Sequence, residues 1–180
     1  MAAWPSSEGE VGLQQEINKA RPFDLPEQEA FLGLIRTAGA LHAEFERLFR
    51  SKGISAAAYN VLRILRGSGD QGRKSQEIGR DMVAQVPDIT RLVDRLEEAG
   101  FVTRRRCEND RRVVHVVITR AGLTLLGKLD EPVLALHEGQ LGHLSREELR
   151  TLITLLEKAR TPKGAGAAKE SRRRRAPAAR

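Results

Sequence analysis

One change of period constrains this chain more than any other feature. Across residues 87–99 the apolar side chains Ile89, Leu92, Val93 and Leu96 recur at three and four, the spacing of one helix face. Directly after Gly100 the spacing becomes that of strands. Residues 101–106 and 113–118 are β-branched or alternating, and Glu108-Asn109-Asp110 between them supplies turn residues. The expectation is a mainly α protein carrying one small β-hairpin.

The flanking segments read as helices. From Glu27, the residues Phe31, Leu34, Ile35, Ala38, Leu41, His42, Phe45, Leu48 and Phe49 mark one face of a long helix, with Gly53 as its stop. Ser55 is expected to cap a second helix with Tyr59, Val61, Leu62 and Leu65 inward, closed by Gly67. Ser75 is expected to cap a short helix ending near Met82. Pro87 suits the first turn of the next one, where its missing N–H would have no partner. After the hairpin, Thr119 caps a leucine-rich helix, and Asp130-Glu131-Pro132 predicts a kink, or a restart capped by Asp130. Ser145 and Glu148 form a capping box for a last helix that turns Leu149, Leu152, Ile153 and Leu156 inward.

Composition separates the ends from the body. Residues 1–26 are polar and punctuated by Gly and Pro, and are expected to form a flexible leader; residues 161–180 have no apolar period and read as a disordered basic tail. The net charge of +7 suggests a polyanionic partner. It is unevenly placed: the tail carries seven basic residues against one acidic, whereas residues 73–112 carry ten against eight. No stretch approaches a membrane span of ~18 apolar residues, and no secretory signal is visible. The single cysteine, Cys107, rules out an intrachain disulfide framework. These features point to a cytoplasmic protein without membrane attachment.

Enzymatic signatures fail on context. Residues 67–72 fit G-x-G-x-x-G, but they follow a helix instead of a strand, so they read as a loop. His137-Glu138 and His143 miss the H-E-x-x-H spacing, and no nucleophile–base pair is evident. Neither catalytic residues nor a metal or other cofactor is expected.

Short helix, tight turn, second helix and hairpin is the order of a winged helix-turn-helix. A helix enters the major groove when its inner face is fixed by packing and its outer face is polar. Here Gln85, Asp88, Thr90, Arg91, Asp94 and Arg95 face outward, and Ser75 and Pro87 at the two helix starts complete the DNA-facing set. Arg91 and Arg95 suit a guanine edge, while Thr90 and Gln85 suit phosphate or base. The hairpin adds Arg104, Arg105 and Arg106, with Arg111 and Arg112 at its tip, where an arginine can enter a narrow minor groove. Asp110 is placed to hold Arg112 by a local ion pair.

Two runs carry a family resemblance. Residues 110–122, DRRVVHVVITRAG, resemble the wing signature of the MarR (multiple-antibiotic-resistance regulator) family, and residues 89–102, ITRLVDRLEEAGFV, resemble its recognition helix and exit. The likeness spans roughly residues 30–160. It implies a winged helix-turn-helix over 55–119 within a MarR-like domain of 27–160, and a homodimer built from helices in 27–52 and 120–160. It also implies a transcriptional repressor on a palindromic double-stranded operator, released by a small-molecule effector or an oxidant. By resemblance and by their character at a helix junction, His42, Phe45, Phe49 and Tyr59 are the candidate effector pocket. Pro132, the long leader and the Arg-rich tail depart from the family pattern, and no cysteine lies in the first helix, where the peroxide-sensing branch carries one. Cys107, beside Arg106, is either an oxidisable thiol activated by neighbouring cations or an incidental exposed residue. The alternative reading is a nonspecific or architectural nucleic-acid-binding protein acting through its tail.

Overall fold

The computed structural model describes residues 12–107, 110 and 113–161. The chain divides into two compact units, Met1–Leu136 and His137–Arg180. Its elements are α1 (Leu13–Glu16), α2 (Pro26–Arg50), α3 (Ala56–Ser68), a 3-10 turn (Gly69–Gln71), α4 (Ser75–Asp81), α5 (Ile89–Glu98), β1 (Val102–Arg106), β2 (Val114–Ile118), α6 (Arg120–Leu141) and α7 (Arg146–Arg160). The mainly helical reading with one two-stranded antiparallel hairpin therefore holds. Among the described residues no helix is long and apolar enough to cross a membrane.

In the first unit, Phe49, Val61, Leu62, Leu65, Ile78, Val93, Leu96, Val102, Val116, Leu126 and Leu129 join one core, so α2 to α6 and both strands share a single buried centre. The expected face of α2 is only partly covered. Phe49 is buried, whereas Phe31, Leu34 and Ile35 are exposed. Part of the expected leader is folded against this helix: the Leu13 side chain lies 3.8 Å from where a Cβ on Gly33 would stand, and Glu16 pairs with Arg36 at 2.6 Å.

Local chemistry explains where the elements begin and end. Ser55 accepts the Ala58 N–H and caps α3 as expected. Gly67 does not close that helix; it lies inside it, and the left-handed residue that ends it is Gly69, φ +58°. Ser75 is not a cap either. Lys74 takes the cap position, its N–H held by the Glu77 carboxylate, and Ser75 is the first helical residue. Pro87 likewise falls outside its helix, because the Asp88 carboxylate accepts the Arg91 N–H at 2.9 Å and sets the start of α5 at Ile89. At the far end, the Phe101 N–H reaches Leu96 O and the Gly100 N–H reaches Glu97 O, the paired bonds of a Schellman turn. Pro132 neither breaks nor restarts α6, which runs through it. Asp130, two residues earlier, is engaged with arginines of α3 instead of capping.

The G-x-G-x-x-G run is a turn that feeds the sheet. Gly72 has φ +65°, and a Cβ there would stand 2.3 Å from the Val116 carbonyl oxygen. That approach lets Arg73 and Val116 exchange two backbone hydrogen bonds, of 2.9 and 2.8 Å, which form an isolated bridge beside β2. Thr119 caps α6 through the Gly122 N–H and donates to Gly100 O.

In the second unit, Ser145 and Glu148 form the expected reciprocal capping box of α7. The expected inward stripe is only partly covered: Leu149 and Leu156 are half-buried. No residue of α7 is buried, and Leu152, Ile153 and Leu155 are exposed.

Candidate nucleic-acid interface

The interface is built around α5. Val93 and Leu96 are buried, and Ile89 and Leu92 pack on the core, which fixes the helix from behind. Gln85, Pro87, Asp88, Thr90, Arg91 and Arg95 are exposed. The structure brings the first five of these together at the N-terminal end of α5, the end whose side chains meet base edges in this motif. Asp88 is the exception in role: its carboxylate is spent on the cap. Ser75 is half-buried at the start of α4.

The hairpin arginines are not equivalent. In the register Arg104 faces Val116, Arg105 faces His115 and Arg106 faces Val114. Arg104 turns back onto α5, where its guanidinium contacts Asp94 and Glu97 and its N–H reaches Glu97 at 2.8 Å. These bonds raise its pKa against the opposing effect of burial. Arg104 thus ties β1 to the recognition helix, and Asp94, expected to face outward, is its partner. Arg105 donates to the Asp70 carbonyl. Arg106 is exposed at the strand end. Asp110 is exposed and its carbonyl accepts the Val113 N–H, while Arg111 and Arg112, with the ion pair expected between Asp110 and Arg112, lie outside the described residues. Cys107 is half-buried, and its N–H bonds to Val113 O at the base of the wing.

Three further contacts had no signal in the sequence. Asn60 of α3 accepts the Val83 N–H at 2.8 Å. Arg73 joins Asp81 and Ser68 at the base of the helix-turn-helix. Arg66 grips Asp130 with two hydrogen bonds of 2.8 Å while Arg63 approaches at 3.3 Å. The hydrogen bonds from Arg66 hold the Asp130 carboxyl below the usual carboxylate range. The first and third join residues distant in sequence, which local spacing cannot reveal.

Among the expected effector residues, the aromatic ones pack on one another. Phe49 is buried and stacks on Tyr59 at 4.3 Å between centroids and on Phe45 at 6.0 Å, so the three form core packing. His42 is exposed and sits 3.4 Å from Glu46. A shallow groove of about 430 Å³ lies nearby, lined by Glu44, Arg47, Leu48, Pro132, Ala135 and Leu136. Among the described residues no three His, Cys, Asp or Glu side chains converge as a metal site.

A core-fixed α5 with an exposed N-terminal end, preceded by a short helix and followed by a hairpin stitched to it, defines a winged helix-turn-helix protein. Residues 54–114 match the model of the MarR family. The chain is 28% identical over 156 residues to the HTH-type transcriptional repressor IacR of Pseudomonas putida, covering 87% of this chain and 90% of that one. It is similar to the crystal structure of a MarR transcription factor from Planctomyces limnophilus, with 47% identity, a TM-score of 0.58, and 75% of this chain and 98% of that one covered. Its fold also matches Bordetella bronchiseptica BpsR, at 22% identity and a TM-score of 0.68, covering 79% of this chain and 100% of that one. The chain belongs to the MarR family of DNA-binding transcriptional regulators.

Proposed function

We propose that this regulator is a homodimeric repressor that reads a palindromic operator and releases it when a small molecule binds. The observation that carries the reading is the exposed cluster Gln85, Thr90 and Arg91 at the head of a helix held rigid by core packing behind it and by Arg104 beside it. Dimerisation is supported by apolar surface left open on α2 and α7, where Phe31 is 62% exposed and Ile153 is 55% exposed. Stripes of this kind on a monomer mark association surfaces. The repressor role draws on the name of IacR. Release by a ligand draws on BpsR, whose DNA binding is regulated by 6-hydroxynicotinic acid. The α2–α6 groove is within the size range of small-molecule sites. In DNA recognition Gln85, Thr90, Arg91 and Arg95 contact base or phosphate, Arg106, Arg111 and Arg112 contact the backbone or minor groove, and Arg104 positions α5.

Selection of bound duplexes from a random-sequence library, followed by footprinting and sedimentation of the complex, tests the reading. The expected result is two half-sites related by a dyad, with centres one helical turn or ~10 bp apart, bound by two chains. A monomer on an asymmetric site would overturn it.

A further inference from the structure

Val83 does not fit a solvated turn. It stands between α4 and α5 and is 91% exposed, while among the described residues no other exposed large apolar residue exceeds 63%. The turn that carries it is nevertheless anchored on its N-terminal side. Met82 before it packs against the core, and the Val83 N–H donates to Asn60 Oδ1 at 2.8 Å. The structure therefore holds a branched apolar side chain out from the surface at a defined place.

Its surroundings say what it meets. The chain runs from Val83 through exposed Ala84 and Gln85 to exposed Thr90 and Arg91 in the first turn of α5. Just before Val83, α4 ends on exposed Arg80 and on Asp81, whose carboxylate is paired with Arg73 at 2.8 Å. The apolar residues of α2 and α7 come as stripes, as a second copy of the chain would require; Val83 is a single large apolar side chain among polar and charged neighbours, whose two carboxylates are engaged, Asp81 by Arg73 and Asp88 by the Arg91 N–H. That setting matches a polyanion with an isolated apolar group. In the major groove of DNA the apolar group on a base edge is the C5-methyl of thymine. We infer that Val83 reads a thymine methyl in each half-site and that Asn60 is the positioning residue that holds it there. This assignment rests on the DNA-binding reading above.

The test uses the full chain and the operator selected from the random library. Each thymine of one half-site is replaced in turn by deoxyuridine, which removes only the methyl group. One position should lose about fourfold in affinity, the worth of one buried methyl group. With Val83→Ala the thymine-to-deoxyuridine ratio at that position should fall toward one, whereas Arg91→Ala should leave it unchanged. Asn60→Ala should lower the ratio, and Asn60→Asp, which keeps an acceptor for the Val83 N–H, should restore it. Wild-type protein indifferent to every deoxyuridine, or a Val83→Ala ratio equal to wild type, overturns the methyl contact. An unchanged ratio in Asn60→Ala overturns the tether. Failure of the library to yield any sequence would instead sink the DNA-reading function itself.

Discussion

Arg104 and Arg106 differ by two positions on one strand and are given opposite tasks by their surroundings. The guanidinium of Arg104 is engaged by Asp94 and Glu97, while Arg106 is exposed. A side chain that neutralises a phosphate contributes about 0.9 to the slope of log affinity against log salt. Arg106→Ala should therefore reduce that slope by nearly one unit across specific and random duplexes alike. Arg104→Ala should leave the slope in place and weaken the selected operator more than random DNA, because it loosens α5 instead of removing a backbone contact. Titrations at several salt concentrations separate the two. Arg91→Ala should cost about 1–3 kcal/mol and relax preference at one base pair; equal losses on specific and random DNA would contradict a base-reading role. Asp130 yields a pH signature. The hydrogen bonds from Arg66 hold its carboxyl below the ordinary value, so the folded state favours its ionised form. A carboxylate lowered on folding stabilises above the unfolded value, about pH 4, and that stabilisation disappears as pH falls through the lower folded value. Asp130→Asn should thus lower thermal stability at pH 7 by a few tenths to about 1 kcal/mol, since the pair is partly exposed. The gap from wild type should close below about pH 4.

At the level of elements, the turn before α4 offers a paired test. Gly69 and Gly72 both have positive φ, but a Cβ on Gly69 meets nothing within 4 Å, whereas one on Gly72 would overlap the Val116 carbonyl. Gly69→Ala should lose about 1 kcal/mol for its backbone conformation, and Gly72→Ala at least about 2. In melting temperature the second change corresponds to a drop of roughly 4–8 °C in a chain of this size. The same elements show which features were legible in advance. The inner face of α5, the hairpin and the capping box of α7 follow from short-range periodicity and capping chemistry, and all three are present. Misreadings arose where several residues competed for one role. Gly67 and Gly69 could each end α3, and Asp88 outcompeted Pro87 in setting the start of α5. Pro132 looked disruptive because the i−4 bond it removes is visible in sequence, whereas the grip of α3 on Asp130 nearby is not. For the site, the exposed residues around α5 were foreseen; the diversion of Arg104 was not, since alternation says which face a strand residue occupies but not which carboxylates wait there.

For the molecule as a whole, the apolar stripe read on α7 is present as a pattern but is not fully buried among the described residues, and a periodic face requires a partner without saying which chain supplies it. Ile35→Glu or Ile153→Glu places a charge on these open faces. Either should convert a dimer to monomers in sedimentation, abolish the concentration dependence of melting, and weaken operator binding while leaving nonspecific binding largely intact. Monomers already present in the wild type would remove the premise. Net charge, by contrast, says little about specificity, since residues 73–112 are nearly balanced. The bridge between Arg73 and Val116 carries the last consequence. It brings the two ends of the segment between them side by side, joined by two backbone hydrogen bonds. Everything from the head of α4 to the middle of β2 is therefore a loop sewn shut at its base, with entrance and exit adjacent. A segment so closed can be exchanged as a cassette: residues 73–116 of a relative with a different operator, transplanted here with Gly72 retained, should carry that operator preference into this chain.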